Sequence, residues 1–216
     1  MTRSLVLTVA GLGTAHLVAF YLGRRAPAGV LKPLPVLVLA LAVITRGDPS
    51  TGIYAASVAA GLVCSAFGDV SLVFPGGFIA GLSAFLVAHL CYIRAFAAEA
   101  RMGPLAAAAA VVLIAFAASM FCYLRPHLAR RLVAPVAVYV TILCTMAWCA
   151  VARALASPEL AGAAAAAVGS TFFLASDSVL AIDRFAHRFA AAHGIVMVTY
   201  YLAQLLIAAS VLATTT

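Results

Sequence analysis

The sequence predicts an all-α integral membrane protein: eight transmembrane helices in a single domain over residues 1–216, with a parallel internal repeat of four plus four. Three observations lead there. Of its 216 residues, 66% are hydrophobic and only 9% are charged, against about 25% charged in soluble domains. The apolar stretches reach the roughly 20 residues a bilayer-crossing helix needs and fill most of the chain. Their long Ala/Leu/Val runs do not alternate in polarity as the ~10-residue strands of a membrane barrel would.

Taken in order, the expected spans are 4–22, 31–45, 53–74, 77–98, 104–123, 132–154, 160–182 and 190–212. The first has a basic start and an apolar run, but ends in Arg24 and Arg25 without a small-residue cleavage site, so it reads as a retained span rather than a signal peptide. Breakers mark the connections: residues 24–29, "RGDPST" at 46–51, "PGG" at 75–77, "RMGP" at 101–104, "LRPHLARR" at 124–131, "SPE" at 157–159 and "DRFAHR" at 183–188. No soluble domain fits between them. Pro135 suits the first turn of the sixth span, and the Ala runs at 106–110 and 163–167 suit close helix packing.

The net charge of +7 comes from thirteen Lys and Arg scattered over short loops. That pattern fits lipid phosphates and membrane orientation rather than nucleic acid. Eight of the thirteen fall on the side of the 1–2, 5–6 and 7–8 connections and five on the other, an asymmetry that favours both termini facing out. The five cysteines lie inside apolar segments without ligand spacing and read as small hydrophobes.

The repeat is legible in short correspondences. "YLGRRAPAGVLKP" (21–33) and "YLRPHLARRLVAP" (123–135) share their Tyr-Leu to Pro separation, and "GLVCSAFGD" (61–69) and "GSTFFLASD" (169–177) share a Gly eight residues before an Asp. In the span that follows each Asp, "HLCY" (89–92) takes the place of "YLAQ" (201–204). Four spans separate the copies, so they run parallel, and equivalent residues should lie at equal depth about an axis along the membrane normal.

Asp69 and Asp177 are the candidates for chemistry. An ionisable group inside a span costs about 2.5–3.5 kcal/mol on insertion scales, and this chain places two at matched positions. Each acid either bonds a neighbouring helix or serves a cavity. Gly61, Ser65 and Asp69 share a helix face, as do Gly169, Phe173 and Asp177, with Ser176 and Ser178 beside the second acid. Two buried carboxyls divide readily into a proton donor and an ionised partner. His89 is either a structural hydrogen-bonder or part of the same polar cavity, and the short hairpin between the third and fourth spans favours the cavity. Tyr92, Tyr139, Tyr200, Tyr201 and Gln204 are possible lining donors, although Tyr also collects at membrane interfaces. Lys32 either snorkels to lipid phosphate or binds an anionic head group. His16 and Thr14 read as structural, His127, His187 and His193 as solvated, and the loop arginines as orientation signals. Two Asp and one His are a weak metal set, and neither a metal nor a cofactor is expected.

The segments "FGDVSLVF", "GFIAGLSAFLVAHLCYIRAF" and "FFLASDSVLAIDRF", with "LKPLPVLVLALAV" and "APVAVYVTILCTMAWCA", resemble the lysoplasmalogenase or YhhN family over most of the chain. The resemblance implies a multi-span membrane hydrolase that cleaves the vinyl ether bond of lysoplasmalogens. The products would be a fatty aldehyde and glycerophospho-ethanolamine or -choline. It implies a lysophospholipid substrate met in the bilayer and carries the active-site acids onto Asp69 and Asp177, with Lys32 and His89 in family-like segments. Vinyl ether hydrolysis needs a proton at the β carbon and water at the α carbon, which matches the two-carboxylate logic of glycosidases. The competing class is a small-solute or proton-coupled carrier built on the same acid pair. Neither Asp-bearing span shows the Pro or Gly-Pro break that would favour it.

Overall fold

A computed structural model describes residues 1–47 and 52–213. The connection expected at 46–51 therefore lies mostly outside the described residues. The chain forms nine α-helices among those described: α1 (Arg3–Tyr21), α2 (Arg25–Leu31), α3 (Leu34–Arg46), α4 (Gly52–Val73), α5 (Phe78–Ala97), α6 (Pro104–Leu124), α7 (Arg130–Ala156), α8 (Ala163–Ala181) and α9 (Ala192–Leu212). With α2 and α3 counted as one kinked rod, eight are long and apolar enough to cross a membrane.

Three expected boundaries are corrected. Residues 24–29, read as a loop from Pro27 and Gly29, are mostly helix α2; a proline in the first turn gives up only an N–H that has no helical partner. Lys32 consequently sits at the kink between α2 and α3 instead of opening a span. The segment expected as a loop at 183–188 begins as a π-helical turn over Ile182–Ala186 that prolongs α8, closed by the His187 N–H on the Ile182 carbonyl at 3.0 Å. Span seven starts at Ala163 rather than 160, where Gly162 turns the chain at φ +82°.

The two ends of the described chain lie at one end of the bundle. Arg46 reaches Thr2, and Gly47 lies against Val211. At that end a polar clasp joins three helices and the turn after α5: Arg153 donates to Glu99 at 2.8 Å, stacks 4.4 Å over the Tyr54 ring, and Tyr54 Oη meets Ser210 Oγ at 2.6 Å. Arg153 is 4% exposed and Glu99 half exposed, so an arginine expected only as an orientation signal also holds this end of the bundle together.

Helix pairs α4/α5 and α8/α9 pack most closely, through glycines. A Cβ on Gly61 would enter the Tyr92 ring, and one on Gly169 would sit 3.0 Å from the Ala203 carbonyl oxygen. Without a hydrophobic drive between helices in lipid, such small-residue contacts supply the association energy. Tyr92, fully buried, donates to Gln204 Oε1 at 2.7 Å and joins the two pairs. Gly61→Ala should displace Tyr92 and break that bond. We expect a loss of about 1–3 kcal/mol in reversible unfolding in detergent; an unchanged midpoint would show that α4 and α5 do not depend on this contact.

Helix α6 is peripheral and rests on α7, where Trp148 Nε1 donates to the Ala106 carbonyl at 3.0 Å. Of the Ala run at 106–110, Ala106 is buried, Ala109 and Ala110 are half-buried, and Ala107 and Ala108 are exposed, so part of that run packs and part faces outward.

We retain the four-plus-four repeat as a proposal, supported by helix neighbours. Asp69 on α4 bonds to the α2/α3 kink and to α9. Asp177 on α8 is approached from α7 and α5, the elements that correspond under the repeat. Tyr92 and Gln204, matched positions in the sequence, bond to each other.

Candidate active site

Two polar clusters flank an aromatic wall at the end of the bundle away from the clasp. In the first, Asp69 is 1% exposed, with Lys32 Nζ 3.5 Å from its Oδ1 and the Tyr200 hydroxyl donating to Oδ2 at 2.7 Å. Tyr201 donates to the Lys32 carbonyl at 2.9 Å, which fixes the kink that carries the lysine. In the second, the Tyr139 hydroxyl donates to Asp177 Oδ2 at 2.6 Å, and His89 Nε2 lies 3.8 Å from the same oxygen. That last separation is too long for a hydrogen bond but close enough to become one with a small shift.

Between the clusters stand Phe85 and Phe173. Phe173 packs against His89 at 4.7 Å and against Tyr200 at 5.5 Å between ring centroids, and Phe85 meets Tyr200 edge-on at 5.8 Å. Phe173 thus touches a member of each cluster.

Two cavities approach this core. A narrow apolar slot of about 40 Å³ is lined by Asp177, Tyr139, Phe78, Leu174, Leu180 and Phe185 among others. A wider polar mouth of about 570 Å³ is lined by Lys32, Arg25, Arg184, His16 and His193, with Phe78 and Leu180. Phe78 and Leu180 face both, so they form the partition. Neither cavity is lined by both acids. The expectation of a single amphiphilic cavity holding Asp69 and Asp177 together is met by neither: Lys32 pairs with Asp69, and of the two acids only Asp177 lines one of these cavities, the slot.

The other expected lining residues divide in the same way. Tyr139 and Lys32 face a cavity. Tyr92 and Gln204 instead form the buried core bond, Tyr200 supports Asp69, and Tyr201 supports Lys32. His89 is fully buried behind Asp177. Several buried polar atoms here have no hydrogen-bond partner among the described residues: both His89 nitrogens, Ser65 Oγ and Gln204 Nε2. Buried polar groups are normally paired, so His89, 3.8 Å from Asp177, is the group here with polar capacity to spare.

Sequence reasoning missed Phe78, Arg25 and Arg184. The arginines were absorbed into orientation, and only the fold shows that the start of α2 and the turn after α8 bring them to one mouth. His193, expected to be solvated, is half-buried; its Nε2 meets His16 Nε2 at 3.3 Å, and Phe20 stacks on its ring at 3.5 Å. His16 is structural as expected, bonded through Nδ1 to the Ala28 carbonyl at 2.9 Å. Among the described residues no three of His, Cys, Asp and Glu stand close enough to share a metal ion.

The family model for the YhhN family matches residues 28–211, which takes in both acids, both clusters and all but the first helix and α2's first turn. The chain belongs to the YhhN family. Among relatives of this YhhN chain is the human lysoplasmalogenase TMEM86B, 38% identical over 185 residues, covering 86% of this chain and 75% of the relative. The human lysoplasmalogenase TMEM86A is 34% identical over 195 residues, covering 84% and 76%. A Mycobacterium tuberculosis lysoplasmalogenase is 35% identical over 131 residues, covering 57% and 48%. No solved structure matches this YhhN chain.

Proposed function

We propose that this protein is a lysoplasmalogenase: a membrane hydrolase that cleaves the vinyl ether bond of a single-chain ether phospholipid. The observation that carries the reading is the pair of differently partnered carboxyls beside an apolar slot and a basic mouth, in a chain whose relatives bear that name. Asp177 faces the slot, with a phenol and an imidazole as its near polar neighbours and no ammonium or guanidinium within ion-pairing distance among the described residues. That setting supports Asp177 as the group that delivers a proton to the β carbon of a hydrocarbon-borne double bond. Asp69 is held as the ionised partner by Lys32; it offsets the oxocarbenium charge that develops and favours attack by water at the α carbon. The hemiacetal then collapses to aldehyde and free glycerol hydroxyl. No step calls for a cofactor.

In this reading His89 is a positioning residue, 3.8 Å behind the acid, and Tyr139 aligns the carboxyl. Purified protein in detergent should release fatty aldehyde from a defined 1-alkenyl lysophospholipid and leave the 1-alkyl analogue intact. Equal inertness toward both, in a preparation shown to be folded, would remove the hydrolase reading and leave the carrier class as the one to test.

A further inference from the structure

We propose that Arg25 and Arg184, beside Lys32 in the polar mouth, form the subsite for the phosphate of a single-chain phospholipid, whose chain passes Phe78 into the slot at Asp177. The ligand class rests on the lysolipid reading above, but the subsite rests on placement. Arg25 opens α2, and Arg184 sits more than 150 positions later in the π-helical turn after α8, yet both line one cavity. Among the described residues neither has an acidic partner within ion-pairing distance. The one other acid at the mouth, Asp183, is engaged in accepting the Phe189 backbone N–H at 3.2 Å.

The π-helical turn carries Arg184 and Phe185. Such turns inside or at the end of α-helices recur at functional sites because they rotate the following residues off the regular helical faces. Arg184 lines the mouth and Phe185 the slot, and both also border an adjoining opening with Phe78 and Arg131. The Arg184 guanidinium rests 4.5 Å over the Phe78 ring, and Phe185 meets that ring edge-on at 5.8 Å. Phe78 thus stands between a cation and an apolar side chain, on the line where a phospholipid changes from head to tail. Planar guanidinium groups match phosphate oxygens in a two-pronged geometry that a lysine does not. Two of them with Lys32 suit one phosphate better than three scattered lipid contacts.

The test reads binding rather than turnover. In a phosphate-free maltoside detergent, the affinity of a non-cleavable 1-O-alkyl lysophospholipid is compared with that of the 1-O-alkylglycerol of equal chain length. The wild type should prefer the phospholipid by at least about tenfold, the scale of a pair of charge-assisted hydrogen bonds. The Arg25→Gln/Arg184→Gln variant should lose most of that preference while binding the alkylglycerol as before, and Arg184→Lys should keep part of it. Inorganic phosphate at millimolar concentration should not displace the lysophospholipid; displacement would mean that the mouth takes a free anion. A wild type without preference, or a preference that survives loss of both arginines, overturns the subsite. If the arginine-dependent preference holds but no aldehyde is released in the assay above, the subsite stands and the hydrolase reading fails.

Discussion

Asp177→Asn is expected to lower lysoplasmalogen turnover at least ~100-fold, the lower end of what a general acid contributes. Asn keeps the shape and still accepts from Tyr139, so the loss reports the missing proton. Asp69→Asn should cost a similar factor by removing the charge that opposes the cationic transition state. The double variant should be little worse than the poorer single one, because groups acting on one step are not additive. The wild-type pH profile should be bell-shaped, with limbs that belong to the pair rather than to either residue. Initial-rate measurements on folded variants decide this. Retention of activity within a few-fold by both Asn variants would make the acids structural.

Lys32→Met should be the most destabilising single change at the site, by about 3 kcal/mol, because it strands a carboxylate with no other cation beside it. The converse variant should be milder. Asp69 is 1% exposed, whereas Lys32 is 12% exposed and lines the mouth, where its ammonium can turn to water when Asp69 becomes Asn. Combining Lys32→Met with Asp69→Asn should therefore recover most of the loss. Thermal unfolding of the three variants in detergent closes the cycle. If Lys32→Met unfolds like the wild type, the pair contributes nothing and Lys32 belongs to the mouth alone.

The spans were legible because a bilayer leaves few options: each apolar stretch of sufficient length must satisfy its own backbone. The two acids were legible because a charge in such a stretch stands out. What the sequence could not show is governed by rotation and distance. The spacing of Gly61, Ser65 and Asp69 reveals a shared face, but not that Lys32 arrives from the α2/α3 kink to pair with Asp69, or that Phe173 packs against both Tyr200 and His89. Tyr92 and Gln204 are the kind of residues a cavity uses, yet a glycine opposite Tyr92 draws the ring into the core. Pro27 misled for a simpler reason, since a proline punctuates a loop and opens a helix with equal ease. The partition at Phe78 depends on residues 78, 180, 184 and 185 meeting across two hairpins, and no local signal encodes that meeting.

The clasp of Arg153, Glu99, Tyr54 and Ser210 closes the end of the bundle that carries both ends of the described chain, while the mouth with Arg25, Lys32 and Arg184 opens at the other. With the function proposed above, the consequence is sidedness. A lysolipid can present its head group to this mouth from only one leaflet, and the polar half of the product leaves into the water on that same side. The aldehyde stays behind in the hydrocarbon. Which of the cell's two lysolipid pools is consumed is then fixed when the chain is inserted, by the direction its first helix takes across the membrane.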